Sequence, residues 1–304
     1  MDNDQEIKSW GKTFNKRVDI VSQIDNSKVV LPIGNLNSYG DSCIPGEKFA
    51  LKFQNQNEVN RTIADFLIQR RLRLFGIPGK ANVTIGGAIA SDVHGKDNLW
   101  GGAFSKNIQS LEIAVAKDKK IRASRSTNSE LFKATVGGLG LTGVITDVEF
   151  SKRLDPLSLS VETKITKGEG LDHMLDSFKL KSSTYWSAWI DLVNTKNKWI
   201  SFSSQELPNI LEKDELKNVK FDFKDYEFSV NLSKKFYLNN INKLYYFTNR
   251  EKLKKANIFE TLYPIKNFLD TRLIAGKKGL IQIQFVVPIE NKNKINELLH
   301  LLKE

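Results

Sequence analysis

Cysteine, methionine, histidine and proline are scarce in this chain of 304 residues: one, two, three and seven copies. A single cysteine, Cys43, excludes an internal disulfide, and it leaves no cysteine-rich zinc motif to build. That usage fits a reducing compartment. No run approaches the roughly 18 consecutive apolar residues of a membrane-crossing helix. The first stretch, MDNDQEIKSWGKTFNKR, is polar and carries acids, unlike a secretory leader. The expected location is therefore cytoplasmic. No repeat period or low-complexity tract is present, so solenoids and arrays are excluded as well.

Positive charge is plentiful. The net charge is +11, which raises nucleic acid, an anionic membrane surface and a phosphorylated substrate as partners. The lysines are scattered among acids rather than gathered in a block, so plain lysine-rich composition explains them equally well. With 40% hydrophobic residues, the chain can bury a core large enough for two domains.

The two halves differ in texture. Glycine-rich segments recur up to about Phe150: LPIGNLNSYGDS, GIPGKANVTIGGAIA, GKDNLWGGAF and VGGLGLTGVI. After Lys152 aromatics take over, in STYWSAWIDL, VKFDFKDYEFSV and KLYYFTNRE. The division is expected near Arg153–Pro156, giving domains 1–152 and 153–304. The spacing of Val59, Ile63, Phe66 and Leu67 predicts a helix over 58–71. SLEIAVAKDKKIRAS predicts a hairpin. NSELFKATVG predicts a short helix capped by Asn128 or Ser129. KVVLPIG, GVITDVEFSK, STYWSAWIDLV and GLIQIQFVVPI predict strands, and NKNKINELLHLLKE an amphipathic helix. This interspersion predicts an α+β fold rather than a regular βαβ sheet.

Two glycine motifs fail on inspection. GLGLTG, from Gly138 to Gly143, has the G-x-G-x-x-G spacing. It follows a helix and precedes a strand, the reverse of a dinucleotide-binding turn. GIPGKA has Leu74 where a P-loop needs glycine, and Ala81 where it needs Ser or Thr. Spread over roughly a third of the chain, these loops suit main chain that approaches a long, flat, anionic ligand, although any one of them is also a simple turn. The pair Gly86–Gly87 in TIGGAIAS reads as a strand weakened for close approach.

LPIGNLNSYGDSC, PGKANVTIGGAIASDVHGKD and ELFKATVGGLGLTGVI together resemble the FAD-binding segments of vanillyl-alcohol-oxidase-type (PCMH-type) flavoproteins. Within them the chain is most similar to the decaprenylphosphoryl-ribose 2′-oxidase subfamily, and YWSAWID and GLIQIQFVVP extend the likeness into the second half. The resemblance implies a two-subdomain FAD-binding domain followed by an incomplete, mixed-sheet substrate domain. It implies noncovalent FAD. Its pyrophosphate would be wrapped by Pro32, Ile33, Gly34, Asn35, Leu36, Asn37, Ser38, Tyr39, Gly40, Asp41 and Ser42. Gly79, Thr84, Ile85, Gly86 and Gly87 would continue the cradle, with Ser91, Asp92, Val93 and His94 along the flavin. Val144 and Ile145 would meet the adenine side. Asn35, Gly86, His94 and Val144 would border one cleft. His94, Lys96, Gln282 and Gln284 match substrate-pocket positions. His94 could instead be structural, and the two glutamines could equally face solvent. His173 and His300 fall in helical patterns and are expected at the surface.

The implied activity is oxidation of a sugar CH–OH group, with a polyprenyl-phosphate-linked pentose as substrate. The alternatives are an aldonolactone or alditol oxidase, or a flavin-binding subunit without turnover of its own. The subfamily suggests a reductase or epimerase partner and peripheral association with the inner membrane. Nucleic acid is not expected, because it would leave the glycine loops without a role. KLYYFTNREKLKKANIFETLYPIKNF fits a glycolipid phosphate better than single-stranded nucleic acid, or it is a solvated basic face. The sequence departs from the subfamily in two places. It is shorter between 43 and 58, and the subfamily's later lysine near the substrate hydroxyl has no counterpart. No catalytic base is therefore assigned.

Overall fold

The computed structural model describes residues 4–9, 14–24, 27–37, 42–46, 49–52, 58–152, 154–177, 183–194, 196–208, 231–232, 234–263, 284–291 and 293–301. In chain order the strands and helices are β1 (Asp4–Lys8), β2 (Asn15–Val21), β3 (Val30–Pro32), β4 (Phe49–Leu51), α1 (Ile63–Arg70), α2 (Ile85–Ala90), α3 (Asn98–Gly101), β5 (Ile108–Ala116), β6 (Lys119–Ser124), α4 (Ser129–Thr135) and β7 (Val144–Phe150). There follow β8 (Ser160–Glu169), α5 (Leu171–Ser177), β9 (Tyr185–Ile190), β10 (Lys198–Glu206), α6 (Lys235–Thr248), β11 (Lys252–Asn257), α7 (Ile258–Leu262) and α8 (Asn293–Leu301).

Three sheets carry these strands. The first runs β1-β2-β4-β3 and is mixed, with β1 antiparallel to β2 and with β2 and β3 parallel to β4. The second, β6-β5-β7, is antiparallel throughout. The third, β11-β8-β10-β9, lies in the second half. Its described strands pair antiparallel. The fold is α+β, as the interspersed pattern predicts.

Several boundaries differ from expectation for local reasons. The helix expected over 58–71 is split into a 3₁₀ turn, Glu58–Asn60, and α1. Thr62 interrupts it, because its Oγ1 accepts from Asp65 N at 3.0 Å and restarts the helix as an N-cap. α1 ends where Arg71 takes a left-handed φ of 55°. α4 begins after Asn128, but that side chain is not the cap. Asn128 Nδ2 donates instead to Arg122 O at 2.8 Å. Gln284–Pro288, expected as strand, has no regular structure, and 280–283 lie outside the described residues.

The segment read as a strand around Gly86–Gly87 is helix α2. Thr84 Oγ1 accepts from Gly87 N at 3.1 Å and caps it. The apolar residues Ile85, Ala88 and Ile89 face the core at helical spacing, and two glycines are not enough to undo that cap and stripe. The close approach at Gly86 is to the chain itself: a Cβ there would lie 2.5 Å from Val59 Cγ1. Replacing Thr84 by valine keeps the shape and removes the acceptor, so it is expected to cost about 1 kcal/mol. A lowered urea midpoint at unchanged m-value checks this.

The largest buried cluster crosses the expected division near residue 153. It joins Ile63, Leu67, Ile89, Phe104 and Phe132 to Val161, Tyr185, Ile258, Phe259 and Leu262. The third sheet is thus seated on the helices of the first half through a shared apolar core. Among the described residues no helix is long and apolar enough to cross a membrane.

Candidate functional site

Two glycine loops converge on α2. In the first, the side chains of Asn35 and Asn37 both donate to Asn82 O, at 2.8 and 3.2 Å. This clamps the 34–37 segment across the loop that leads into α2. Gly34 packs here because nothing larger fits, since a Cβ would stand 2.6 Å from Thr84 Oγ1. In the second, Gly137 N donates to Ile89 O at 3.0 Å and Leu139 N to Ala90 O at 2.8 Å, tying the loop after α4 to the end of α2. The same loop reaches the end of β3, where a Cβ on Gly140 would lie 2.9 Å from the Pro32 ring.

A cavity of about 370 Å³ opens beside this convergence, lined by Gly34, Asn35, Leu36, Lys52, Thr62 and Asn82. That volume falls within the range of small-molecule sites. Four of the six lining residues are glycine, asparagine or threonine, and Lys52 adds a positive charge. The residues suit an anionic, phosphate-bearing group such as the pyrophosphate of FAD, since a concave backbone and a cation are what such a group needs. Gly79 has open space where a Cβ would be. The lining does not include Gly86, His94 or Val144.

The other expected positions fall as follows. Ile33 N donates to Leu51 O at 2.9 Å, which continues β3. Ser42 is half-buried in a turn, and Ser38, Tyr39, Gly40 and Asp41 lie outside the described residues. Ile85 is buried in the core. Ser91 is exposed at the end of α2, and Val93 N donates to Ala88 O at 3.1 Å. Asp92 Oδ1 accepts from Ser105 N at 3.0 Å, which fixes the following loop. Val144 and Ile145 are buried on β7, a strand with β5 on one side only among the described residues. His173 is exposed on α5, with its ring edge-on to Trp199 at 5.2 Å between centroids. His300 lies in α8.

A second group forms where the 93–97 segment meets the third sheet. His94 Nε2 and Gln284 Nε2 are 2.5 Å apart. With the amide donating, the imidazole accepts at Nε2 and carries its proton on Nδ1. Gln282 lies outside the described residues. Lys96 is held twice: its Nζ donates to Leu262 O at 2.8 Å, and its own carbonyl accepts from Trp186 N at 2.8 Å. Burial pulls the Lys96 ammonium down to about 8, and neighbouring Asp97 opposes the shift. Asp97 is itself buried, which raises its carboxyl above the usual range. The Gly76 N–H, at 3.2 and 3.1 Å from its two oxygens, restrains that rise.

Behind Lys96 stands a polar group that sequence reasoning missed. Tyr185 OH donates to Glu206 Oε1 at 2.7 Å, and Arg73 pairs with Glu206 Oε2. Burial raises the Tyr185 hydroxyl well above its usual value. Arg73 lies more than a hundred positions from Tyr185 and Glu206, and no local spacing announces the group. Lys52, Thr62 and Asn82 were missed for a similar reason: an ordinary helix cap and ordinary loop residues become a wall only in three dimensions. Among the described residues no cluster of His, Cys, Asp and Glu is placed to hold a metal ion.

Comparison with known proteins adds a direction. No family model matches the chain. It is 31% identical over 246 residues to decaprenylphosphoryl-beta-D-ribose oxidase of Mycolicibacterium smegmatis, a match that covers 73% of this chain and 52% of that protein. It is 35% identical over 98 residues to FAD-linked oxidoreductase sorD of Penicillium rubens, covering 32% of this chain and 18% of the relative. It is 32% identical over 65 residues to cytokinin dehydrogenase 2 of Arabidopsis thaliana, covering 21% and 13%. The chain thus spans about half the length of the first of these and less of the others.

Proposed function

We infer, from the chain's membership of the vanillyl-alcohol-oxidase-type (PCMH-type) FAD-binding flavoproteins, that it holds FAD through residues 1–152 and presents a sugar alcohol to it through residues 153–304. The observation that carries this reading is the cavity bordered by Gly34, Asn35 and Lys52, which lies where the chain's glycine loops converge. FAD, when bound, supplies an acceptor for the hydride that leaves the alcohol carbon.

The chain's own residues bind and orient. Asn35 and Asn37 hold the 34–37 main chain against Asn82, so its amides are fixed before a ligand arrives. Lys52 balances phosphate charge at the wall. His94 and Gln284, in contact with each other, offer hydrogen-bonding groups suited to sugar hydroxyls. Lys96, held by Leu262 O, places a cation whose proton is easily released beside that pair. The substrate class we propose is a polyprenyl-phosphate-linked pentose, as the name of the mycobacterial relative suggests. Such a substrate lives in a bilayer, and peripheral membrane association goes with it. A partner reductase or epimerase would take up the keto product.

The test is colour and its loss. The purified full chain is expected to be yellow, to release FAD on denaturation, and to bleach without oxygen when given a polyprenyl-phosphate ribose. Bleaching by an aldonolactone or alditol instead would replace the substrate class. A yellow protein that no sugar bleaches would retain the cofactor and remove the oxidation. A colourless protein that cannot be loaded with FAD would overturn the reading.

A further inference from the structure

Helix α6 leaves Phe236, Leu244 and Phe247 facing away from the protein. Its inner side combines the half-buried Leu238 and Ile241 with polar contacts: Asn242 Nδ2 donates to Asp191 Oδ1 at 2.6 Å, and Asn194 Nδ2 donates to Asn239 Oδ1 at 2.9 Å. Tyr245 packs edge-on to Trp189 at 5.1 Å between centroids. None of the 14 helical residues is buried. Phe236, Leu244 and Phe247 share the outward stripe at helical spacing and are 72%, 63% and 65% exposed. Asn240 and Lys243 are exposed on the same side, and large apolar side chains left in water beside them mark a contact surface.

The charge around the stripe identifies the contact. α6 itself contains no acid. From Lys234 to Lys255 the sequence holds seven Lys or Arg and one acid, Glu251. β11 follows α6 directly and is the edge strand of its sheet among the described residues, with Lys252, Leu253 and Lys255 exposed. Aromatic and leucine side chains in a stripe, with lysines on both flanks, describe a helix that lies in the plane of a bilayer surface. The rings enter the headgroup boundary while the ammonium groups meet lipid phosphates. A helix of this length covers about 21 Å, enough to lie along the surface.

We propose that α6 and β11 form a peripheral binding surface for an anionic phospholipid bilayer. This deepens the lipid-linked substrate reading and rests on it only for its purpose, since the surface stands on its own exposure and charge. α6 packs on the third sheet, whose strand β9 also holds Lys96 through Trp186. A protein seated by α6 therefore brings the proposed substrate side near the membrane.

Flotation of the full chain with two kinds of vesicle tests this: pure phosphatidylcholine, and phosphatidylcholine with one third phosphatidylglycerol. The expected result is binding to the anionic vesicles, weak or absent binding to the neutral ones, and loss of binding as salt rises. Lys252→Gln and Lys255→Gln are each expected to weaken binding about five-fold. Phe236→Ser with Phe247→Ser is expected to weaken it at least about tenfold, with unchanged circular dichroism and FAD content. Equal partition to both vesicles, or binding that survives the phenylalanine double variant, would overturn the proposal. So would a double variant that converts a dimer to a monomer, because α6 would then be an interface between copies. A colourless protein that floats with anionic vesicles keeps this surface and loses the oxidase reading, and a yellow, active protein indifferent to vesicles does the reverse.

Discussion

Alanine at position 95 is expected to cost about 3 kcal/mol or more of stability, and to carry away the proposed substrate side with it. A Cβ there would stand 2.2 Å from Ile77 O and 2.8 Å from Ile77 N. Those are main-chain atoms of a residue that is 2% exposed, so no flexible side chain can swing clear. Two neighbouring contacts block retreat. Phe104 N donates to Val93 O at 2.7 Å, and Gly76, at φ +69°, has Phe104 N 2.6 Å from where a Cβ would point. Residues 75–77, 93–97 and 103–104 are therefore stacked main chain on main chain. His94 and Lys96 flank Gly95, and any shift that admits the methyl group moves both. The expected result is a melting temperature lowered by roughly 6–10 °C, with sugar-dependent bleaching lost even in protein that still carries FAD. Gly79→Ala is the control. It has open space at the same position and is expected to leave the melting temperature unchanged. A Gly95→Ala protein that melts like the Gly79→Ala protein would refute this account.

Gly95 also shows how far the sequence could be read. The crowd of glycines around His94 is visible without a structure, and so is the inference that main chain must come close to something there. What comes close is not visible. At Gly95 it is Ile77, at Gly86 it is Val59 and at Gly34 it is Thr84, partners 18, 27 and 50 positions away. The hairpin β5–β6, strand β7 and helix α4 were legible because period and turn chemistry agree locally. α2 was misread because two glycines suggest a weakened strand, whereas the threonine cap ahead of them decides for a helix. The His94–Gln284 contact spans 190 positions, and Arg73–Glu206 spans 133. Such pairs are fixed by packing of the third sheet on the first-half helices, and that packing follows from a shared core whose members have no common local pattern.

Replacing Lys96 by methionine is expected to stabilise the protein while removing its proposed use. The ammonium is enclosed between the 93–97 segment and Leu262, and its proton is released near 8 because burial disfavours the charge more than Asp97 supports it. The displacement from the ordinary lysine value corresponds to about 3 kcal/mol of disfavoured charge, partly returned by the hydrogen bond to Leu262 O. Methionine has a similar length and no charge, so a net gain of about 1–2 kcal/mol is expected at neutral pH. The sign follows from proton counts. Below about pH 8 both folded and unfolded wild-type chains carry the proton, and the folded state bears the whole burial cost. Above it the folded lysine loses its proton first while the unfolded lysine keeps it, so wild-type stability rises until the ordinary lysine value is reached. The advantage of Lys96→Met is therefore expected to be largest near neutrality and to shrink steadily through alkaline pH, as measured by urea midpoints across that window. Sugar-dependent bleaching is expected to fall at least about a hundredfold with FAD content unchanged, because the variant has the packing but neither the donor nor the charge. A variant less stable than wild type at every pH would mean that Lys96 is held there by interactions stronger than its burial opposes, and would place it in the framework rather than at the substrate.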